Sequence, residues 1–161
     1  MIKNLKKIYT LDDLVPIVNK LQSKKNKIVF TNGCFDIIHS GHTRYLFEAR
    51  KAGDYLVIAV NSDQSVSTLK GSSRPINCLE ERMEILSCLY FVDYVFSFSE
   101  LDPCNVLRKL RPDILIKGGD WSIDKVVGKE IVESYGGGVF TIPEVKGRST
   151  TGVVERILNK N

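Results

Sequence analysis

Histidine is scarce in this chain, occurring only as His39 and His42 in 161 residues. Tryptophan occurs once, as Trp121. No stretch approaches the roughly 18 uncharged apolar residues of a membrane-spanning helix. The start, Met1-Ile-Lys-Asn-Leu-Lys-Lys7, lacks the apolar run of a signal peptide. These two absences lead us to expect a cytoplasmic protein with no membrane partner. The four cysteines, Cys34, Cys78, Cys88 and Cys104, include no CxxC pair. They read as reduced thiols, not as a disulfide or zinc framework. There is no dense basic tract either. The net charge is +4, the Lys and Arg residues are scattered, and Lys24-Lys25-Asn26-Lys27 reads as a solvated loop. Nucleic acid is therefore not an expected partner. Repeats and low-complexity segments are absent.

What the chain does contain is an alternation of short apolar runs and helical patterns. Thr10-Leu-Asp-Asp13 resembles a capping box, and Leu11, Leu14, Val15, Val18 and Leu21 follow at helical spacing. Ile28-Val29-Phe30 reads as a strand ending at Thr31-Asn32-Gly33. A helix follows with Tyr45, Leu46, Ala49 and Ala52 on one face. Tyr55–Val60 is a strand, and Asn77 caps a helix carrying Ile85, Leu86 and Leu89, with Glu80 in the box position. Tyr94–Phe98, Ile114–Ile116 and Val139–Ile142 are further strands. They are separated by a helix opening at Asp102-Pro103 and another holding Ile131 and Val132. Val153, Val154, Ile157 and Leu158 mark the last helix. Strands alternating with helices imply βαβ units, and continuous apolar strands imply a sheet covered on both faces. The expected fold is α/β, a doubly wound five-stranded parallel sheet of Rossmann-like type. One domain is expected over residues 1–161, with an N-terminal helix and loop over 1–26 and a core over 27–158. Ligands of such folds bind beyond the carboxyl ends of the strands, so the segments following each strand are the candidate site.

After the first strand comes Gly33-Cys34-Phe35-Asp36-Ile-Ile-His39-Ser-Gly41-His42. The two histidines flank a Ser-Gly at a helix start, where free N–H groups and the helix dipole favour an anion. Gly41 permits close approach of a phosphate, and the imidazoles add donors. Asn61-Ser-Asp63 follows the second strand and reads equally as a helix cap or as ligand contacts. Leu69-Lys70-Gly-Ser-Ser-Arg74-Pro75 reads as a polar loop that closes over polyphosphate. Lys117-Gly118-Gly119-Asp120-Trp121 follows the fourth strand. Its glycines admit a ligand, Asp120 suits a sugar hydroxyl, and Trp121 is either core or a cover for the ligand. Gly147-Arg148-Ser149-Thr150-Thr151 leads into the last helix. Its hydroxyls either cap that helix or donate to phosphates.

Two phosphate-grade helix starts, two histidines and several cations make a site without a nucleophile–base pair. Nucleotidyl transfer needs none, because a substrate phosphate attacks the α-phosphorus itself and catalysis is positioning plus charge stabilisation. Cys34 has no third histidine to serve it as a base, which argues against a cysteine hydrolase. Mg²⁺ is expected to arrive on the triphosphate, with Asp36 a candidate protein ligand.

Asn32-Gly-Cys-Phe-Asp36, His39-Ser-Gly-His42 and Arg148-Ser-Thr-Thr151 resemble the cytidylyltransferase-like superfamily, over about residues 27 to 158. Within it, Phe30–Asp36, Val60–Asp63, Leu69–Gly71 with Arg74-Pro75, Lys117–Asp120 and Gly147–Thr151 resemble the heptose 1-phosphate adenylyltransferases. These form the adenylyltransferase part of the ADP-heptose synthases. The resemblance implies that ATP and D-glycero-D-manno-heptose 1-phosphate give ADP-heptose and pyrophosphate, for bacterial cell-surface glycans such as lipopolysaccharide. It implies that His39, His42 and Lys70 are catalytic. Gly33, Cys34, Phe35, Gly41, Gly118, Arg148, Ser149, Thr150 and Thr151 would hold the nucleotide. Asp36, Asn61, Arg74, Lys117, Asp120 and Trp121 would meet the sugar phosphate. A homo-oligomer is expected, with a dimer favoured. No sugar-kinase segment accompanies these motifs, so a separate kinase is expected to supply the 1-phosphate.

The chain departs from glycerol-3-phosphate cytidylyltransferases at two places. Tyr90-Phe-Val-Asp93 lacks their cytosine-reading Arg, and Glu144-Val145 replace their Arg-Thr. A cytidylyltransferase acting on a polyol phosphate is the competing enzyme reading. A non-catalytic nucleotide-binding module is the competing reading of another class, but no motif is damaged. A class I aminoacyl-tRNA synthetase fragment would need a longer chain and a KMSKS-like loop.

Overall fold

In the computed structural model, residues 6–119, 122–145 and 147–159 are described. Thr10 opens the first helix as its sequence predicts. Its hydroxyl accepts from the Asp13 N–H at 3.1 Å, and α1 runs over Leu11–Ser23. The chain continues as β1 (Ile28–Gly33), α2 (Ser40–Arg50), β2 (Tyr55–Asn61), α3 (Asp63–Lys70), α4 (Leu79–Cys88), β3 (Tyr94–Phe98), α5 (Cys104–Leu110), β4 (Ile114–Gly118), α6 (Lys129–Ser134), β5 (Gly138–Ile142) and α7 (Thr150–Leu158).

The five strands are parallel, in the order β3-β2-β1-β4-β5. Alternate residues feed two cores. Ile28, Phe30, Val57, Ala59, Phe96 and Leu115 pack under α1, α5 and α6 through Leu14, Val18, Leu107, Leu110 and Val132. Val29, Leu56, Ile58, Val60, Val95 and Ile116 pack under α2 and α4 through Leu46, Ala49 and Leu86. Burial on both faces is why these strands read as unbroken apolar runs.

The winding reverses between β1 and β4. β1 pairs with β2 along its whole length, from Ile28↔Tyr55 to Gly33↔Val60. It pairs with β4 only at Val29↔Ile114 and Phe30↔Leu115. Beyond those pairs the two strands part, and a crevice opens at their carboxyl ends.

The structure corrects local expectations. The segment expected as a polar loop around Lys70 begins as a helix, α3, with Ser62 as its cap and Lys70 in its last turn. Its Ser- and Thr-rich composition hides the helical pattern. Asn77 does not cap α4. Cys78 is the capping residue, and Asn77 instead donates its side-chain amide to the Asp36 carbonyl at 2.7 Å. Before α1, Ile8 forms a parallel bridge to Val95, so the N-terminal segment also extends the β3 edge.

Candidate functional site

His39 is the capping residue of α2. Its Nδ1 accepts from the Gly41 N–H at 3.2 Å, which leaves Nε2 carrying the ring proton in the neutral form. His42 lies nearly a turn further on and stacks on His39, with ring centroids 3.9 Å apart. Phe35 meets it edge-on at 5.5 Å. His42 Nδ1 is buried without a hydrogen-bond partner. Burial, helped by the His39 charge and opposed by the Ile37 carbonyl, lowers the His42 pKa to about 4. Burial also lowers that of His39, with Glu144 opposing and Arg148 and Arg156 assisting. Both rings are thus held away from their charged forms, in a place where an incoming polyanion would favour them.

Gly41 is where two helix starts meet. A Cβ there would lie 2.9 Å from the His39 ring and 3.1 Å from Arg148 Cβ, just before α7. Ser149 caps α7, its Oγ accepting from the Gly152 N–H at 3.0 Å. Thr150 Oγ1 reaches the Ile37 carbonyl at 3.5 Å, tying α7 to the loop that carries the histidines. The N-termini of α2 and α7 thus converge, and both present unpaired N–H groups.

The loop after β1 is held by charge. Phe35 sits in the left-handed region at φ 48. Asp36 is buried and accepts from the Ile76 N–H at 2.8 Å, the Asn77 N–H at 2.9 Å and Arg74 Nε. Burial would raise its pKa, but the Asn77 and Ile76 N–H groups and Arg74 outweigh it and hold the carboxyl below its ordinary value. Asp36 and Arg74, expected to touch the sugar phosphate, are here bonded to each other. The Cys34 thiol is pushed up by burial, against Lys70, Arg82 and Arg74. A raised thiol pKa keeps less of the side chain as the thiolate that nucleophilic attack requires.

Arg82 was not anticipated. It is wholly buried and donates to the carbonyls of Asn77 (3.1 Å), Cys34 and Asn61 (2.8 Å) and to Asp63 Oδ1 (2.7 Å). It ties together the segments leaving β1 and β2. The available signal was a cation on the apolar stripe of α4, three residues from Leu79 and four from Leu86. By sequence Tyr45 belongs to the apolar face of α2. Its hydroxyl bridges Thr31 Oγ1 and the Ile116 carbonyl at 3.0 Å, spanning the split between β1 and β4. Gly118 lies against this ring, since a Cβ there would be 3.1 Å from Tyr45 Cδ2.

Lys117 bridges the same split nearer the surface, donating to Asn32 Oδ1 at 2.5 Å. Burial lowers its pKa to about 8. Asn61 is buried and donates to Ser65 Oγ at 2.9 Å. Asp120 and Trp121 lie outside the described residues.

These groups surround a cleft of about 660 Å³ over the carboxyl ends of the strands. It brings together Gly33, Cys34, Phe35, His39, Gly41, His42, Lys70, Gly118, Arg148, Ser149, Thr150 and Thr151, along with Asp36, Asn61, Arg74 and Lys117. Among the described residues no three His, Cys, Asp or Glu side chains cluster as a metal site. Asp36 is committed to three donors, the Ile76 and Asn77 N–H groups and Arg74 Nε. No helix among the described residues is long and apolar enough to cross a membrane.

A family model described as cytidylyltransferase-like matches residues 30–156. The bifunctional protein HldE of Ectopseudomonas mendocina is 50% identical over 153 residues, covering 95% of this chain and 32% of that protein. That of Pseudomonas fluorescens strain Pf-5 is 51% identical over 150 residues, covering 93% and 31%. The chain spans about a third of the length of these curated relatives. Among solved structures, the lipopolysaccharide core biosynthesis protein from Thermoplasma volcanium matches with a TM-score of 0.61 and 31% identity, over 76% of this chain and 99% of that one. A pantoate-beta-alanine ligase from Francisella tularensis, at 17% identity, has the same TM-score over 96% of this chain and 80% of its own, and shares the fold.

Proposed function

The chain belongs to the cytidylyltransferase-like family, and from that premise we propose that it is an adenylyltransferase. It would join ATP to D-glycero-D-manno-heptose 1-phosphate and release pyrophosphate. An oxygen of the sugar phosphate attacks the α-phosphorus in line. The bond from that phosphorus to the bridging oxygen of the β-phosphate breaks, and its electron pair leaves with pyrophosphate. No protein nucleophile takes part.

The observation that carries this reading is the convergence of two helix N-termini on the stacked His39–His42 pair. This arrangement suits a triphosphate held by backbone N–H groups, Arg148, Thr151 and Lys70, with imidazole donors beside the leaving group. Mg²⁺ riding on the triphosphate would neutralise part of its charge. The names of the relatives, a bifunctional HldE protein and a lipopolysaccharide core biosynthesis protein, agree with a heptose acceptor. The missing Arg at Tyr90 and the Glu144-Val145 pair favour adenine over cytosine. The reading includes one catalytic unit working in the cytoplasm as a homo-oligomer, a dimer most readily.

The test is a panel of four triphosphates against several sugar phosphates, read as pyrophosphate release. ATP with heptose 1-phosphate should dominate. Turnover of CTP with glycerol 3-phosphate, and none of ATP, would reverse the assignment.

A further inference from the structure

The β1–β4 ladder stops while both strands continue. Its last rung is Phe30↔Leu115. In the same register the next would join Thr31 to Ile116. That rung does not form, although β1 goes on pairing with β2 as far as Gly33↔Val60 and β4 with β5 as far as Gly118↔Ile142. Backbone groups along the parted edges must then find other partners. The Ile116 carbonyl finds the Tyr45 hydroxyl at 3.0 Å, and the same hydroxyl bonds Thr31 Oγ1. The Tyr45 oxygen thus stands between the two residues that would have made the missing rung. Its single O–H goes to the carbonyl, so Thr31 is the donor in the other bond.

The ring of Tyr45 fills the space beneath. A Cβ at Gly118 would lie 3.1 Å from both Tyr45 Cδ2 and Cε2, so any side chain there would press on the ring. Tyr45 follows His42 by three residues and shares its face of α2. Leu46 and Ala49 anchor the helix further along, in the core under α2 and α4. Among the described residues, the hydrogen bonds that join α2 to β1 and β4 are both made by the Tyr45 hydroxyl.

We propose that Tyr45 is a positioning residue, a spacer whose hydroxyl replaces the missing β1–β4 rung and fixes the histidine end of α2 over the crevice. It acts on the rate through the placement of His42. The link to rate rests on the nucleotidyl-transfer reading; the spacing does not.

Tyr45→Phe keeps the ring and loses both bonds. With whichever triphosphate and acceptor the wild type uses, it should lower kcat about tenfold to a hundredfold, the cost of a small misplacement of a catalytic group. KM should stay within about threefold. In a His42→Ala background the same change should lower kcat less than about threefold, because the group being placed is already gone. A tyrosine serving stability alone would lower the melt and cut kcat by the same factor in both backgrounds. That result, or near-normal kcat in Tyr45→Phe, would overturn the proposal.

A second readout needs no turnover and decides alone if His42→Ala is inactive. The chain has two histidines, so 15N spectra resolve each ring. His42, with a pKa of about 4 beside His39, Phe35 and the Ile37 carbonyl, should be neutral at about pH 5.5 in the wild type. In Tyr45→Phe the first turns of α2 loosen, water reaches the ring, and His42 should be partly protonated at that pH. Thr31→Val breaks the bridge from the β1 side and should act in the same direction. Folded variants whose His42 stays as neutral as in the wild type would refute the spacer. A shifted His42 together with no nucleotidyl transfer in the wild type would instead refute the reaction and leave the spacer standing.

Discussion

Replacing Arg82 by Met tests how the cleft is braced. The guanidinium is completely buried and reaches three carbonyls and one carboxylate. Asp63 keeps a side chain 46% exposed and can turn to water when the cation is gone. The Asn61 carbonyl cannot, since that residue is only 3% exposed. Each buried acceptor left unpaired costs about 1–3 kcal/mol. With the Asn61 and Cys34 carbonyls both stranded, the loss is about 2–6 kcal/mol. This brackets the roughly 3–5 kcal/mol typical of breaking a buried charge pair. For a domain of this size the melting temperature should fall by about 4–24 °C. Arg82→Lys should lose part of this, because one ammonium cannot span four acceptors. Calorimetric melts of wild type and both variants give the result. An Arg82→Met protein melting within about 2 °C of wild type would refute the brace. The Cys34 and Asn61 carbonyls belong to residues lining the cleft. Acceptor KM should therefore also rise at temperatures where the variant is still folded.

His42→Ala should lose about 10²–10³ in kcat with a smaller change in ATP affinity, read by steady-state kinetics beside a melt. His39 must be tested as His39→Asn, which keeps a capping acceptor for the Gly41 N–H; a folded variant of either type with near-normal kcat would remove the histidines from the mechanism. Cys34→Ala should retain most of its activity, and a nucleotidyl-cysteine adduct in the mass spectrum of wild type would contradict this. Asp36 has its folded pKa below the ordinary 3.8, so its contribution is present above that value and lost as pH falls through the lower folded one. Asp36→Asn should therefore be less stable than wild type near about pH 7 by about 1.5–3 kcal/mol, and this gap should close toward acid, as denaturant melts across pH would show.

Much of the fold was legible because it rests on local periodicity. The five apolar runs are strands, and their unbroken hydrophobicity follows from burial on both faces. The helix-start motifs were legible too, since His39 and Ser149 cap α2 and α7 through bonds spanning two and three residues. α3 was missed because its sequence, Asp63-Gln-Ser-Val-Ser-Thr-Leu-Lys70, has too few apolar residues to show a helical period. Asn77 was misplaced because a capping side chain and a tertiary donor look alike in sequence. Its amide is drawn away by the Asp36 carbonyl, which is 41 residues distant in the chain.

By itself the sequence determined which segments become strands and where the helices after β1 and β5 start, because both depend on neighbours within a few positions. Only the tertiary structure decided how those segments meet. It put β1 beside β4, parted them after Phe30 and Leu115, and bridged the gap with Tyr45 and Lys117. It also turned Arg74 and Asp36 toward each other and buried Arg82 beneath the cleft. These outcomes depend on which groups find partners once water is excluded. The partners of Arg82 and Lys117 lie as far as 48 and 85 residues away in the chain, a separation that local pattern does not encode.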